Sequence, residues 1–182
     1  MSKIFFTADT HFFHKNIIKF CPNSRRGADQ FEMNEILIRN WNAQVAHDDI
    51  VYHLGDVSFA RDYRDTESVV NRLEGQIHVI TGNHDDEAAL RRTKRFRSVS
   101  AYKEVSIFGT KVVMFHYPIH EWNCIQHGAI HLYGHVHGRS LEDLPQGKSM
   151  DVGIDTRRDM RLYEWEEIEK IMSSRPLRRH HN

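Results

Sequence analysis

The chain has 182 residues, 40% apolar and 27% charged, with 25 basic and 25 acidic side chains and a formal net charge of zero. This composition suits one globular unit with a real core, and it speaks against a broadly basic nucleic-acid surface. No stretch approaches the roughly 20 apolar residues of a membrane span.

In chain order, KIFFTAD (3–9) is predicted to be a buried strand, with Asp9, His11 and His14 at and just after its end. ADQFEMNEILIRNWNAQV (28–45) is predicted to be a helix. Asp29 and Glu32 form an Asp variant of the capping box, and Met33, Ile36, Leu37, Trp41 and Val45 share a face. DIVYHLGD (49–56) reads as a second strand and DTESVVNRLEG (65–75) as a helix stopped by Gly75. QIHVITGNHDD (76–86) reads as a third strand with a polar end, and DEAALRRTKRF (86–96) as a short helix. YKEVSIFGTKVVMFHYP (102–118) has the pattern of a hairpin turning near Gly109. AIHLYGHVHG (129–138) is a strand ending in histidines, SMDVGID (149–155) and RLYEW (161–165) are late strands, and EWEEIEKIMSS (164–174) is a last helix. Strand–helix alternation followed by antiparallel pairs predicts an α/β sandwich of mixed sheets. We expect one domain over 1–172 and a basic, flexible tail over 173–182. The start, MSKIFF, lacks a signal peptide's apolar core, and Cys21 and Cys124 lie far apart with no C-x-x-C spacing. Free thiols in a reducing, cytoplasmic setting are expected.

Placement, rather than the count of 14 histidines, carries the functional signal. Ligand-type residues follow strands repeatedly: Asp9 and His11, then Asp56, then Asn83, His84 and Asp85, then His116, then His135 and His137. In open α/β sheets, sites collect at the carboxyl ends of strands. The set combines carboxylate, imidazole and amide oxygen without thiolate, which suits Mn, Fe, Zn, Ni or Co better than Ca. Singly, each motif is weak. Asp9 could cap a turn, and His53, His78 and His131 lie in apolar strands where core or edge roles are expected. His47, His120 and His127 read as loop or surface residues. The basic run from Arg91 to Arg97 reads as a solvated helix face.

The ordered set D-x-H, GD, GNHD, H and GHVH resembles the calcineurin-like metallophosphoesterase family from about Phe5 to Gly138, with DVGID (151–155) continuing it. One departure is that Phe115, not glycine, precedes His116. The chain is closer to small bacterial and phage members carrying DTHFxHxNI (Asp9 to Ile17) and HYP…EWN (His116 to Pro118, Glu121 to Asn123). It lacks the Asp-Arg-Gly signature of the protein Ser/Thr phosphatases, having VSFARD after Asp56, and the extra length of the DNA-repair nucleases.

The resemblance implies a β-sandwich of two mixed sheets flanked by helices, in αββα layers, and two divalent metals, with Mn favoured. Asp9, His11 and His137 would hold one metal and Asn83, His116 and His135 the other. Asp56 would bridge them, and His84 would face the substrate phosphate. The implied reaction is in-line attack of a metal-bridging hydroxide on a phosphodiester, with a small phosphoester or nucleotide as substrate. Alternatives are a phosphomonoesterase, a nuclease on short nucleic acids, or a metal-binding scaffold without catalysis. His14, Arg25, Arg26 and Arg139 are candidate substrate contacts, Arg139 first among the arginines because it directly follows GHVH.

Overall fold

Phe5 and Phe6 are adjacent, so on a strand they must face opposite sides, and both are buried. The first strand is therefore sandwiched between two apolar layers. The computed structural model that shows this describes residues 2–139 and 147–178. Its elements are β1 (Ile4–Thr7), α1 (Ile17–Phe20), α2 (Gln30–Asn42), β2 (Ile50–His53), α3 (Tyr63–Val70), β3 (Gln76–Ile80), α4 (Glu87–Arg92) and β4 (Ser98–Ser100). Then come β5 (Tyr102–Ile107), β6 (Thr110–Phe115), β7 (Ile130–Tyr133), β8 (Ser149–Asp151), β9 (Tyr163–Glu164) and α5 (Trp165–Ser173).

The strands form two mixed sheets, in the orders β4-β3-β2-β1-β9 and β5-β6-β7-β8. In the first, β1 to β4 run parallel and β9 is antiparallel to β1. In the second, β5 and β6 form the hairpin while β6, β7 and β8 run parallel. Phe5, Val51, Ile77 and Val79 pack outward with Met33, Leu37 and Trp41 of α2 and Val69 and Val70 of α3. Phe6, Tyr52 and Ile80 pack inward on Val112, Met114, Ile130 and Leu132 of the second sheet, with Trp165, Ile168 and Met172 of α5. On the other face of the second sheet Val113 meets Trp122, Ile125 and Ala129.

Local chemistry accounts for the element ends. Asp29 accepts from Phe31 N and Glu32 N at 2.9 Å, while Glu32 returns to Ala28 N at 2.7 Å. Helix α2 is shorter than its apolar face predicts: Val45 still packs in the core, but from the segment beyond the turn at 43–44. Helix α3 starts earlier than expected, capped by Asp62 onto Arg64 N (2.9 Å), and ends at Val70. Phe108 and Gly109 turn the β5–β6 hairpin with φ of 46° and 89°. A Cβ at Gly109 would meet nothing, so glycine is needed there for its backbone, not for space. Strand β4 and the short helix α1 were not expected. Two of the three β4 residues are serine and only Val99 is buried, so no alternation marks the strand.

The basic run is engaged with the protein itself. Arg91 pairs with Glu87 (2.7 Å), Arg92 lies over Tyr63 (3.9 Å), and Arg95 donates to Leu73 O (2.6 Å) and Gly75 O (2.9 Å). In the tail, Arg175 donates to Ser149 O, and Arg178 pairs with Glu121 (2.8 Å). Arg179 and the residues after it lie outside the described residues. Among the described residues no helix is long and apolar enough to cross a membrane.

Candidate metal centre

Every ligand-type residue singled out above lies just beyond the carboxyl end of β1, β2, β3, β6 or β7. The two sheets meet at this edge. Ala8 bridges to Gly153, Asp9 N donates to Gly55 O (2.9 Å), and Gly134 N donates to His116 O (2.9 Å). The turns that follow are tight. Asp9, His11, Asp56, His135 and His137 all have positive φ, between 47° and 72°. Non-glycine residues seldom adopt this conformation, and such strain concentrates at functional sites. Space is equally restricted. A Cβ on Gly82 would lie 2.2 Å from Asp56 Oδ1 and 2.6 Å from Asp56 N. We predict that Gly82→Ala lowers stability by about 1–3 kcal/mol and displaces Asp56, so that urea unfolding shifts and metal retention drops. An alanine variant with unchanged midpoint and metal content would show that this clash is relieved without cost.

The turns bring two groups of ligand atoms together. Those of Asp9, His11 and His137 lie within 4.8 Å of one another, as do those of Asp9, Asp56 and His116. His11 Nε2 is 3.6 Å from Asp56 Oδ2 and 3.9 Å from Asp9 Oδ1, and His116 Nε2 is 3.5 Å from Asp56 Oδ2. Asn83 Oδ1 stands 3.2 Å from His116 Nε2 and 3.0 Å from His135 Nδ1. Both ring nitrogens of His11 are buried without a hydrogen-bond partner. A buried polar atom left in this state is costly, and a bound cation would satisfy it. The donor chemistry agrees: His116 Nδ1 faces Leu54 O at 2.7 Å and donates to it. Nε2 then faces Asp56 Oδ2 and Asn83 Oδ1, where it holds a proton for Asp56 or, with that proton gone, offers a lone pair to a cation. The residues present therefore fit divalent metal.

Charge tells the same story. Burial, then Asp151, pushes the Asp9 carboxyl up to about 7. Burial drives His11 down to about 2 against the pull of Asp56. Burial would also raise Asp56, but hydrogen bonding and charge from His116 bring it down to about 2. Without a cation the site disfavours the charged form of Asp9; a divalent ion reverses that preference.

The surrounding chain fixes these side chains. His137 Nδ1 donates to Asp155 Oδ2 (2.7 Å), leaving Nε2 as the nitrogen for metal. Burial opposes protonation of His137, yet Asp155, Cys21 and Asp9 raise it to about 10. Asp155 in turn accepts from Ser24 Oγ (2.5 Å), Arg25 Nε (2.7 Å) and Arg25 Nη2 (2.7 Å). Cys21, His137 and Asp155 also converge within 4.8 Å. Because Ser24 and Arg25 already occupy the Asp155 oxygens, this trio is a hydrogen-bonded support rather than a second metal set. Asp85 does comparable work on the other side, accepting from Asp56 N (2.8 Å), Val57 N (2.8 Å) and Gly82 N (2.9 Å). We predict that Asp155→Asn weakens metal affinity about 10–100-fold in a chelator-competition titration. Unchanged affinity would remove Asp155 from the support.

The other sequence candidates fall in different places. His84 is exposed, its main-chain N–H donates to Asp56 Oδ1 (2.9 Å), and its ring stands 5.7 Å from that of His11. His14 Nδ1 accepts from Asn16 N and Ile17 N, both at 3.2 Å. Its neutral ring carries hydrogen on Nε2, so it offers a donor and no metal lone pair. Arg25 lies beneath the site rather than on the rim: it is 2% exposed and gives two further donors to Thr10 O (2.9 Å) and Asp9 O (2.5 Å). Arg26 is exposed and its donors face Pro22 O, Asn23 O and Arg25 O. Arg139 is exposed directly after the His135–His137 turn. Sequence reasoning missed the support roles of Asp155, Arg25 and Asp85. The only signal was that DVGID carries two carboxylates, and GNHD one, that the ligand set does not use.

His53 and His131 are internal. His53 Nε2 pairs with Thr10 Oγ1 (2.9 Å), and His131 Nδ1 pairs with Val113 O (3.2 Å).

Similarity to known proteins points the same way as the geometry. An uncharacterised protein of Methanocaldococcus jannaschii is 32% identical over 160 residues, covering 85% of this chain and 83% of that one. The gene 66 protein of Mycobacterium phage D29 is 27% identical over 187 residues, covering 88% and 92%. A crystal structure of an Aquifex aeolicus protein of unknown function superposes with a TM-score of 0.73 at 21% identity, covering 94% of this chain and all of that one, which speaks to the fold alone. A sequence model described as the calcineurin-like phosphoesterase superfamily domain matches residues 3–153. That span contains every residue of the converging ligand cluster, and the chain belongs to the calcineurin-like phosphoesterase superfamily.

Proposed function

We propose that this chain hydrolyses phosphodiesters, nucleotide-like ones in particular, at a pair of divalent cations. The observation that carries this reading is the convergence of buried carboxylate, imidazole and amide ligand atoms around Asp9 and Asp56. His11 has two unpartnered buried nitrogens, and His116 Nε2 faces Asp56 Oδ2 and Asn83 Oδ1. Asp9, His11 and His137 would hold one cation, Asn83, His116 and His135 the other, and Asp56 would reach both. Oxygen and imidazole donors suit Mn first, then Fe, Zn, Ni or Co. When bound, such a pair neutralises phosphate oxygens and acidifies water.

The chain's own residues supply the rest. The exposed His84 ring, beside His11, is placed to hydrogen-bond a phosphate oxygen or to give its proton to the leaving oxygen. His14 Nε2–H is a neutral donor at the same rim. Arg139 and Arg26, both exposed, are within the set able to grip phosphate oxygens. Buried Arg25 instead neutralises Asp155 and orients His137 through it. Zero net charge favours a small phosphoester over a long nucleic-acid track. Free Cys21 and Cys124 suit a reducing cytoplasm.

The test is a parallel assay of bis-p-nitrophenyl phosphate and p-nitrophenyl phosphate with Mn²⁺, before and after chelation. The reading expects chelator-sensitive turnover with the diester preferred. Preference for the monoester overturns the diester assignment, and no turnover of either overturns catalysis on such esters.

A further inference from the structure

One exposed side chain at the ligand cluster has no part in the chemistry above. Phe59 is 42% exposed. Its ring lies 4.1 Å from that of His14, 4.9 Å from His84 and 6.0 Å from His11, centroid to centroid. Its backbone is fixed, because Phe59 N donates to Phe12 O (2.8 Å) directly after the bridge between Phe12 and Ser58. Its neighbour is fixed as well, since two main-chain N–H groups hold the His14 ring through Nδ1. Phe20, 65% exposed, stands edge-on to His14 at 6.2 Å. A surface of flat rings therefore starts at His11 and His84 and runs outward through Phe59 and His14 to Phe20. The far end of the cluster has a lesser counterpart: Tyr117 packs 4.7 Å from His135 and 5.1 Å from His116.

Left this exposed, Phe59 forgoes much of the gain a buried phenyl ring would bring. Its contacts are with histidines whose work is at the phosphate. An aromatic side chain held at its backbone and left 42% exposed beside a phosphate site can act as a stacking platform, and base–aromatic stacking accepts any flat π-face. We infer that Phe59 is a specificity-determining residue, which stacks on an aromatic group carried by the phosphoester, a nucleobase or an aryl ester. This rests on the phosphoester reading of the site and narrows its substrate class.

The experiment uses the full chain loaded with Mn²⁺ and two ligands that share an anionic head and resist hydrolysis, phenylphosphonate and methylphosphonate. Calorimetric titration should show phenylphosphonate binding about tenfold more tightly to the unaltered chain. Phe59→Ala should narrow that ratio to about twofold or less while leaving methylphosphonate affinity unchanged, and Phe59→Trp should keep the ratio. Equal binding of the two ligands by the unaltered chain overturns the inference and leaves the phosphoester reading standing. So does a Phe59→Ala variant that keeps the preference, or one that weakens both ligands equally, which would assign Phe59 to holding the histidines. If the unaltered chain binds neither phosphonate, the phosphoester reading fails first and takes this inference with it.

Discussion

Replacing His84 by alanine is expected to cut turnover about 10²–10⁴-fold, the usual share of a positioned proton donor or acceptor, while bound metal stays unchanged. The two effects separate because His84 contributes through two different atoms. Its main-chain N–H holds Asp56 Oδ1 at 2.9 Å, and alanine keeps that bond. Its ring is exposed and stands beside His11 and Phe59, outside both groups of converging ligand atoms. Metal analysis alongside the rate for bis-p-nitrophenyl phosphate reads both quantities. A variant that loses metal makes His84 a ligand, and one that keeps full activity removes it from the chemistry.

The second large effect is expected at Asp56. One of its oxygens faces His11 Nε2 at 3.6 Å and His116 Nε2 at 3.5 Å, and the other is taken by His84 N. A single oxygen of Asp56 thus lies within 3.6 Å of a histidine of each proposed ligand set. In Asp56→Asn an NH₂ group replaces one oxygen and a negative charge is lost between the two proposed cation sites. We expect at least one cation to be lost and turnover to fall by about 10³-fold or more, because metal contributions to such transition states amount to several kcal/mol. The loop should stay folded, since Asp85 pins the main-chain N–H groups of Asp56, Val57 and Gly82 independently. A fully loaded and active Asp56→Asn chain would sink the bridging role.

The parts of the site that were legible in the sequence share one property: each ligand residue sits within a few residues of the end of a short apolar run. Strand period and strand-end position are local, so Asp9, Asp56, Asn83, His116 and His135 could be lined up before any coordinates. Helix α2 was legible for the same reason, through its cap and its buried stripe. What was hidden is long-range or conformational. Nothing in the spacing couples Arg25 to Asp155, which lies 130 residues away, so Arg25 read as a free guanidinium at the rim. His14 was a candidate substrate contact by residue type, and only the two N–H groups on its Nδ1 show that what it offers is a donor. The positive φ of five ligand residues could not be read from side-chain identity, since none of them is glycine. Strand β4 was lost because one buried valine between two serines carries no periodic signal. Phe59 was passed over because an apolar residue after a strand reads as core, whereas here it is exposed beside the histidines.

The central claim is that these residues form two adjoining cation sites. Elemental analysis of the full chain, reconstituted with Mn²⁺ and dialysed free of loose metal, tests it most directly. The expected result is about two Mn²⁺ per chain, as a paired phosphoesterase site requires; a chain that retains one Mn²⁺ or none would contradict the account.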